Sequence, residues 1–111
     1  MKYRHYAPKA PVTVIAGTPR KTARYIFEHC SPEDGIICFD EFRDLFSAQV
    51  VEPLGSANNL EEQARRLFDA LRAFDHTEVT AIWAQCPDCK GIGLAITNRL
   101  NKAAGFHIVE V

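Results

Sequence analysis

The 111-residue chain has almost no excess of either charge: 13 Lys and Arg stand against 14 Asp and Glu. So balanced a surface excludes a general nucleic-acid binder, which needs a net basic field. Long apolar runs are also missing. The longest stretches, such as Val12–Gly17 and Ala81–Ala84, are too short for a membrane-spanning helix. The opening MKYRHYAPK has no apolar core of the kind a secretory signal needs, so a cytoplasmic location is expected. Cysteines number only four, and in that compartment they are expected to stay reduced. There is no internal repeat and no low-complexity tract. No loop completes a phosphate-binding motif. Gly17-Thr18-Pro19-Arg20-Lys21-Thr22 offers a Lys-Thr pair without the second Gly, and Gly91-Ile92-Gly93 lacks a third.

What is present is the composition of one soluble globular domain, 47% hydrophobic and 24% charged. A chain of this length buries enough surface to fold without a disulfide or a metal. The charge is unevenly spread. Residues 1–27 hold six bases and no acid, while the remainder carries seven bases and fourteen acids. An anion or an acidic partner is therefore expected at the N-terminal end.

Val12–Ala16 is β-branched and reads as a strand. Thr18 is a good helix cap and Pro19 suits a first helical position, where its missing N–H costs nothing. Ala23, Ile26, Phe27 and Cys30 then recur at helical spacing. Ile36–Phe39 reads as a second strand, Asp40–Phe46 as a short helix and Ala48–Glu52 as a third strand. Leu60, Ala64, Leu67, Phe68, Leu71 and Phe74 mark the clearest amphipathic helix, with Asn59 as its cap. Glu61–Arg65 and Glu62–Arg66 are acid-before-base pairs on its surface. Val79–Ala84 gives a fourth strand. Ile92 to Ala104 gives a last helix, ended by Gly105 in a left-handed cap, and Phe106–Val111 gives a fifth strand.

Alternating strands and helices predict an α/β, three-layer Rossmann-like domain. Its mostly parallel five-stranded sheet is covered by helices on both faces. Residues 12–111 form this domain, and residues 1–11, bracketed by Pro8 and Pro11, read as a linker. Ligands of such sheets bind outside the carboxyl ends of the strands. The loops there are Gly17–Pro19, Asp40–Glu41, Leu54–Asn59 and Gln85–Gly93. Cys86-Pro87-Asp88-Cys89 has the position of a dithiol redox motif, between a strand and a helix, and is a weak metal candidate. Two readings therefore stay open for the domain alone: a stand-alone thioredoxin-like redox module or a nucleotide-binding module. In the leader, Lys2-Tyr3-Arg4-His5-Tyr6 interleaves cations and rings, a strip that can neutralise phosphate and stack on a base.

That leader, continued by Ala7-Pro8-Lys9-Ala10-Pro11, resembles the interdomain linker of the long, two-domain threonylcarbamoyl-AMP synthases. Leu54-Gly55-Ser56 with Asn59-Leu60-Glu61-Glu62 and Ala64-Arg65-Arg66-Leu67-Phe68 resembles a helix signature of the same family. Gly91 to Ala104, with Asn98-Arg99-Leu100-Asn101-Lys102, resembles its closing block. The resemblance implies an accessory domain of an enzyme that joins threonine, bicarbonate and ATP for a tRNA modification, threonylcarbamoyladenosine. The chemistry would belong to a YrdC-like catalytic domain not contained in this chain. That domain would be the partner, and it would use ATP with Mg. This chain would hold no cofactor and no catalytic residue, and would contact neither membrane nor nucleic acid. Lys2, Tyr3, Arg4, His5 and Tyr6 would form a lid over the nucleotide pocket, and Asn98 and Arg99 would serve docking. Cys86 and Cys89 depart from the family pattern.

Overall fold

The computed structural model describes residues 10–47, 50–86, 98, 101–102, 105 and 107–111. Five strands make one sheet: β1 (Val12–Ala16), β2 (Gly35–Cys38), β3 (Val50–Pro53), β4 (Ile82–Gln85) and β5 (Ile108–Glu110). Their spatial order is β3-β2-β4-β1-β5, and every pairing is parallel. The helices α1 (Pro19–His29) and α2 (Leu60–Ala73) are joined by 3-10 turns at Asp40–Leu45 and Phe74–His76. The expected α/β class and strand count hold, with a sheet that is parallel throughout.

The alternation of side chains along each strand builds two cores. Val12, Val14, Ile37, Ile82 and Ala84 point to one face and pack with Leu67, Leu71 and Phe74. Ile15, Ile36 and Cys38 point to the other and pack with Ala23, Ile26 and Phe46. α2 therefore covers the first face, and α1 with the Asp40–Leu45 turn covers the second. A sheet buried on both sides explains why its strands are continuous apolar runs.

Local chemistry sets the helix ends. The Thr18 hydroxyl accepts the Lys21 N–H, and Pro19 opens α1. Asn59 caps α2 by accepting the Glu62 N–H at 3.0 Å. Replacing Asn59 with Ala should lower stability by about 1 kcal/mol, seen as a lower urea midpoint at unchanged slope. An unmoved midpoint would show that this cap contributes nothing.

Several boundaries and faces differ from the sequence reading. Phe27 and Phe68 stand 54% and 40% exposed instead of joining the buried stripes. Each stripe needs only the residues facing the sheet: Thr22, Ala23 and Ile26 in α1, and Gln63, Leu67, Ala70 and Leu71 in α2. Leu45, at the end of the Asp40–Leu45 3-10 turn, is also exposed, while the next residue, Phe46, is buried. Glu62, not Glu61, takes the surface cations, with Arg66 at 3.4 Å and Arg65 at 4.0 Å. β4 begins at Ile82; just before it, the Thr80 N–H donates to the Glu33 carbonyl and the Ala81 carbonyl accepts the N–H of Gly35, the first residue of β2. Trp83 is half-buried, and its ring N–H donates to Asp34 at 2.8 Å. Of the expected last helix, Asn98, Asn101 and Lys102 are helical, and Gly105 follows at φ +61°. The rest of that helix lies outside the described residues.

Candidate functional site

The carboxyl ends of β1, β2, β4 and β5 open into one crevice. It encloses about 550 Å³ and is lined by Thr18, Pro19, Lys21, Phe39, Asn58 and Cys86, among others. Of the four loops expected there, Gly17–Pro19, the Ala57–Asn58 part of Leu54–Asn59 and the start of Gln85–Gly93 reach the wall. Asp40 and Glu41 are not among its described lining residues.

The last residue of β4 organises this end of the sheet. Gln85 is fully buried. Its amide oxygen accepts the Phe39 N–H at 2.8 Å. Its amide nitrogen donates to the Pro19 carbonyl at 2.9 Å and to the Thr22 hydroxyl at 3.0 Å. One side chain thus ties the end of β2 to the start of α1. The sequence offered a faint signal for it, a polar residue closing the apolar run Ala81–Ala84. Gln63 is a second fully buried amide, and its nitrogen donates to the Ser56 carbonyl at 2.8 Å.

A polar clasp holds the rim loop. The Asp40 N–H donates to the Gly55 carbonyl, and the Gly55 N–H returns to the Asp40 carboxylate. The Ser56 hydroxyl and the Ala57 N–H both donate to Glu41, at 2.6 and 2.9 Å. These two bonds hold the Glu41 carboxyl below the usual glutamate range. A group depressed in the folded state adds stability above its unfolded pKa and loses it as pH falls through the folded value. Ser56→Ala should therefore move the Glu41 titration, followed by NMR, back up toward the ordinary range. An unmoved titration would assign the depression to some other cause.

The thiols do not assemble into a reactive pair among the described residues. Cys86 is 4% exposed and belongs to the α2-side core. The expected loop thiol is therefore a core side chain: it follows directly on β4, which ends at Gln85, and belongs to the same buried cluster as Phe39 and Leu54. Cys89 lies outside the described residues. Burial, then the charge of Asp40, pushes the Cys38 thiol up to about 12. Burial, followed by Asp34, also raises Cys30. Both thiols stay protonated at neutral pH, which is the inert state. Among the described residues, no group of three or more His, Cys, Asp or Glu could hold a metal ion.

Of the other site residues expected from the sequence, Asn98 is helical and exposed. Arg99 and the leader residues Lys2, Tyr3, Arg4, His5 and Tyr6 lie outside the described residues. What the structure does show is the leader's base. Ala10 packs against the α2-side core, and the Pro11 carbonyl accepts the Ile82 N–H at 2.9 Å. The leader thus joins at the amino end of β1, opposite the crevice.

Comparison with known proteins gives these features a family. Residues 1–105 match the family model described as threonylcarbamoyl-AMP synthase, C-terminal domain. The chain is 39% identical to the threonylcarbamoyl-AMP synthase of Bacillus subtilis (strain 168), over 99% of its own length and 32% of that protein. It is 42% identical to the Pyrococcus abyssi enzyme of the same name, over 100% of its length and 33% of that protein. The chain thus spans about a third of these relatives. Among solved structures, a Pyrococcus abyssi Sua5 variant with an adjacent His–Tyr pair changed to alanine superposes at a TM-score of 0.82. That alignment has 38% identity and covers 94% of this chain and 30% of that one. Pyrococcus abyssi Sua5 complexed with L-threonine gives 0.75 at 40% identity, covering 100% and 33%. The C-terminal Sua5 domain of Pyrococcus horikoshii gives 0.69 at 32% identity, covering 95% of this chain and all of that one. No helix among the described residues is long and apolar enough to cross a membrane. A parallel five-stranded sheet, a leader pinned at its amino edge and a match running through both place this chain in the threonylcarbamoyl-AMP synthase family, as its C-terminal domain.

Proposed function

We propose that this chain is the accessory part of an enzyme that forms threonylcarbamoyl-AMP from threonine, bicarbonate and ATP for tRNA modification in the cytoplasm. Its leader closes over the nucleotide pocket of a separate catalytic domain. The observation that carries the reading is the family match, which starts at residue 1 and so takes in the leader as well as the sheet. The chemistry of the strip agrees with it. Lys2 and Arg4 can offset the charge of an adenylate, and Tyr3, His5 and Tyr6 can stack and exclude water. The anchor at Ala10 and Pro11 gives the strip a fixed base, and nine residues can span at most roughly 30 Å from it.

ATP and Mg belong, on this reading, to the catalytic domain. The described residues bring together no metal-ligand set, and no step of this proposal runs through a metal held by this chain. Asn98, exposed on its helix, and Arg99 are assigned to docking. The division into a linker at 1–11 and a domain at 12–111 is part of the same proposal.

Two measurements test it. The 111-residue chain alone should release no pyrophosphate in a threonine-dependent manner, and measurable release would overturn the accessory role. Tyr3→Ala and His5→Ala, made in the longer enzyme, should each lower turnover by about tenfold or more without changing the unfolding of this domain. Unchanged kinetics in both variants would remove the lid.

A further inference from the structure

We infer that a groove at the amino end of the sheet, walled by Phe27, Pro32 and Phe46, is the seat of the catalytic domain, which inserts one large apolar side chain there. This inference rests on the accessory reading above and adds the face by which this domain meets the rest of the enzyme.

Topology puts the groove where that domain is tethered. The strands are parallel, so α1, which starts at the carboxyl end of β1, ends at the amino end of the sheet. Phe27 lies in its last turn. Cys30, Ser31 and Pro32 follow on the way to β2, and Phe46 and Ser47 stand on the way to β3. These six residues line one groove of about 160 Å³. The leader is rooted at the same end, by Ala10 and Pro11. This chain spans about a third of its relatives, and the model matching it from residue 1 is that of their C-terminal domain. The other two thirds of such an enzyme therefore connect through the leader.

Size selects the kind of occupant. The groove is smaller than small-molecule sites, which enclose roughly 300–1,000 Å³. It matches an apolar protein cavity of roughly 150 Å³, which takes up a single benzene. One Leu- or Phe-sized side chain fills such a space. An apolar side chain seated in a partner's pocket is the usual anchor of a protein interface.

The surface around it has the matching chemistry. Phe27 is the most exposed of the large apolar side chains described. Phe68, the exposed ring on α2, carries the Arg72 guanidinium, whereas among the described residues no guanidinium lies over Phe27. The hydroxyl residues Ser31 and Ser47 border the groove. Glu28, next to Phe27, is paired with Arg24 at 3.3 Å. An apolar centre inside a polar rim is the anatomy of a docking patch. A second copy of this chain has apolar side chains to offer as well. A leader of nine residues, however, holds the catalytic domain at an effective concentration on the order of millimolar, which a free copy lacks.

The test is the alkylation rate of Cys30 by iodoacetamide, resolved by peptide mass spectrometry, in the 111-residue chain and in the longer enzyme. Cys30 lines the groove and is half-buried. Both proteins carry the leader, so a difference reports the catalytic domain. Alkylation should be roughly tenfold slower in the longer enzyme, as for a groove covered about nine-tenths of the time. Phe27→Ser, a change nearly neutral for helix propensity, should bring the two rates within about twofold of each other. Phe68→Ser, the control on α2, should leave the tenfold ratio in place. Equal rates in the unaltered pair would overturn the inference. So would a ratio that Phe27→Ser leaves intact or that Phe68→Ser abolishes as well. Slowing in the 111-residue chain alone, as its concentration rises, would give the groove to a second copy instead. The accessory reading is judged separately, by the Tyr3→Ala and His5→Ala kinetics: lost turnover there with equal alkylation rates removes the groove and keeps the lid.

Discussion

Gln85→Met should cost this domain about 3 kcal/mol, read as a lowered urea midpoint. Methionine keeps nearly the same length and volume, so the change isolates the hydrogen bonds from the packing. Three are lost: one from the Phe39 N–H and two to Pro19 and Thr22. Each carries about 1 kcal/mol net, but the sum is not simply additive. The larger share comes from the Phe39 N–H. That residue is 1% exposed, so its donor is left with neither protein nor water as partner. Thr22→Val supplies the graded control. It removes one acceptor of Gln85 and the Thr22 hydroxyl's own bond to the Pro19 carbonyl, while the Gln85 bonds to Phe39 and Pro19 persist, and should cost roughly 1–2 kcal/mol. A loss below about 0.5 kcal/mol in Gln85→Met would place it with ordinary surface changes and remove Gln85 as the organiser of the crevice.

Much of this arrangement was legible in the sequence, for identifiable reasons. The Thr18-Pro19 pair marks a helix start through backbone geometry alone, and the helix begins there. Asn59 does the same for α2. Continuous apolar strands between helices implied a parallel sheet with both faces covered, and both cores exist. The position of the crevice followed from that class of fold.

The strand order did not follow. Nothing local in Ile82–Gln85 says that β4 inserts between β2 and β1; that depends on which faces remain to be covered once α1 and α2 have packed. The buried amides were equally hidden. Gln63 sits on the inner side of α2, where periodicity asks for an apolar residue, and only the Ser56 carbonyl opposite it accounts for an amide there. Phe27 and Phe68 misled in the other direction. Each lies next to a true core position, and the Phe68 ring instead receives the Arg72 guanidinium at 5.5 Å. The Cys86 thiol looked like loop chemistry because Cys89 follows it; its burial within the α2-side cluster makes it part of the core.

The largest single loss is expected at the other end of the sheet. Phe74 is 4% exposed, and its ring lies directly over Gly35, the first residue of β2. A Cβ built on Gly35 would stand 2.3 Å from one ring carbon of Phe74 and 2.7 Å from the next. That glycine is required by proximity and not by backbone conformation. Phe74→Ala should cost about 3–5 kcal/mol through lost burial and the cavity left behind. Against a total stability of roughly 5–15 kcal/mol, this brings the domain near its threshold. Gly35→Ala should cost about 1–3 kcal/mol, because the ring must leave its place in a filled core. The double variant decides whether the two losses share one cause. With the ring gone, the added methyl meets open space and partly fills it, so Gly35→Ala should become nearly neutral in the Phe74→Ala background. A coupling energy of at least about 1 kcal/mol, with the sign of rescue, is the expected result. Additive losses would mean that Gly35 is needed for some reason other than the ring. The cycle is best measured at a temperature where the Phe74→Ala variant remains folded, with the unfolding slope compared across all four proteins.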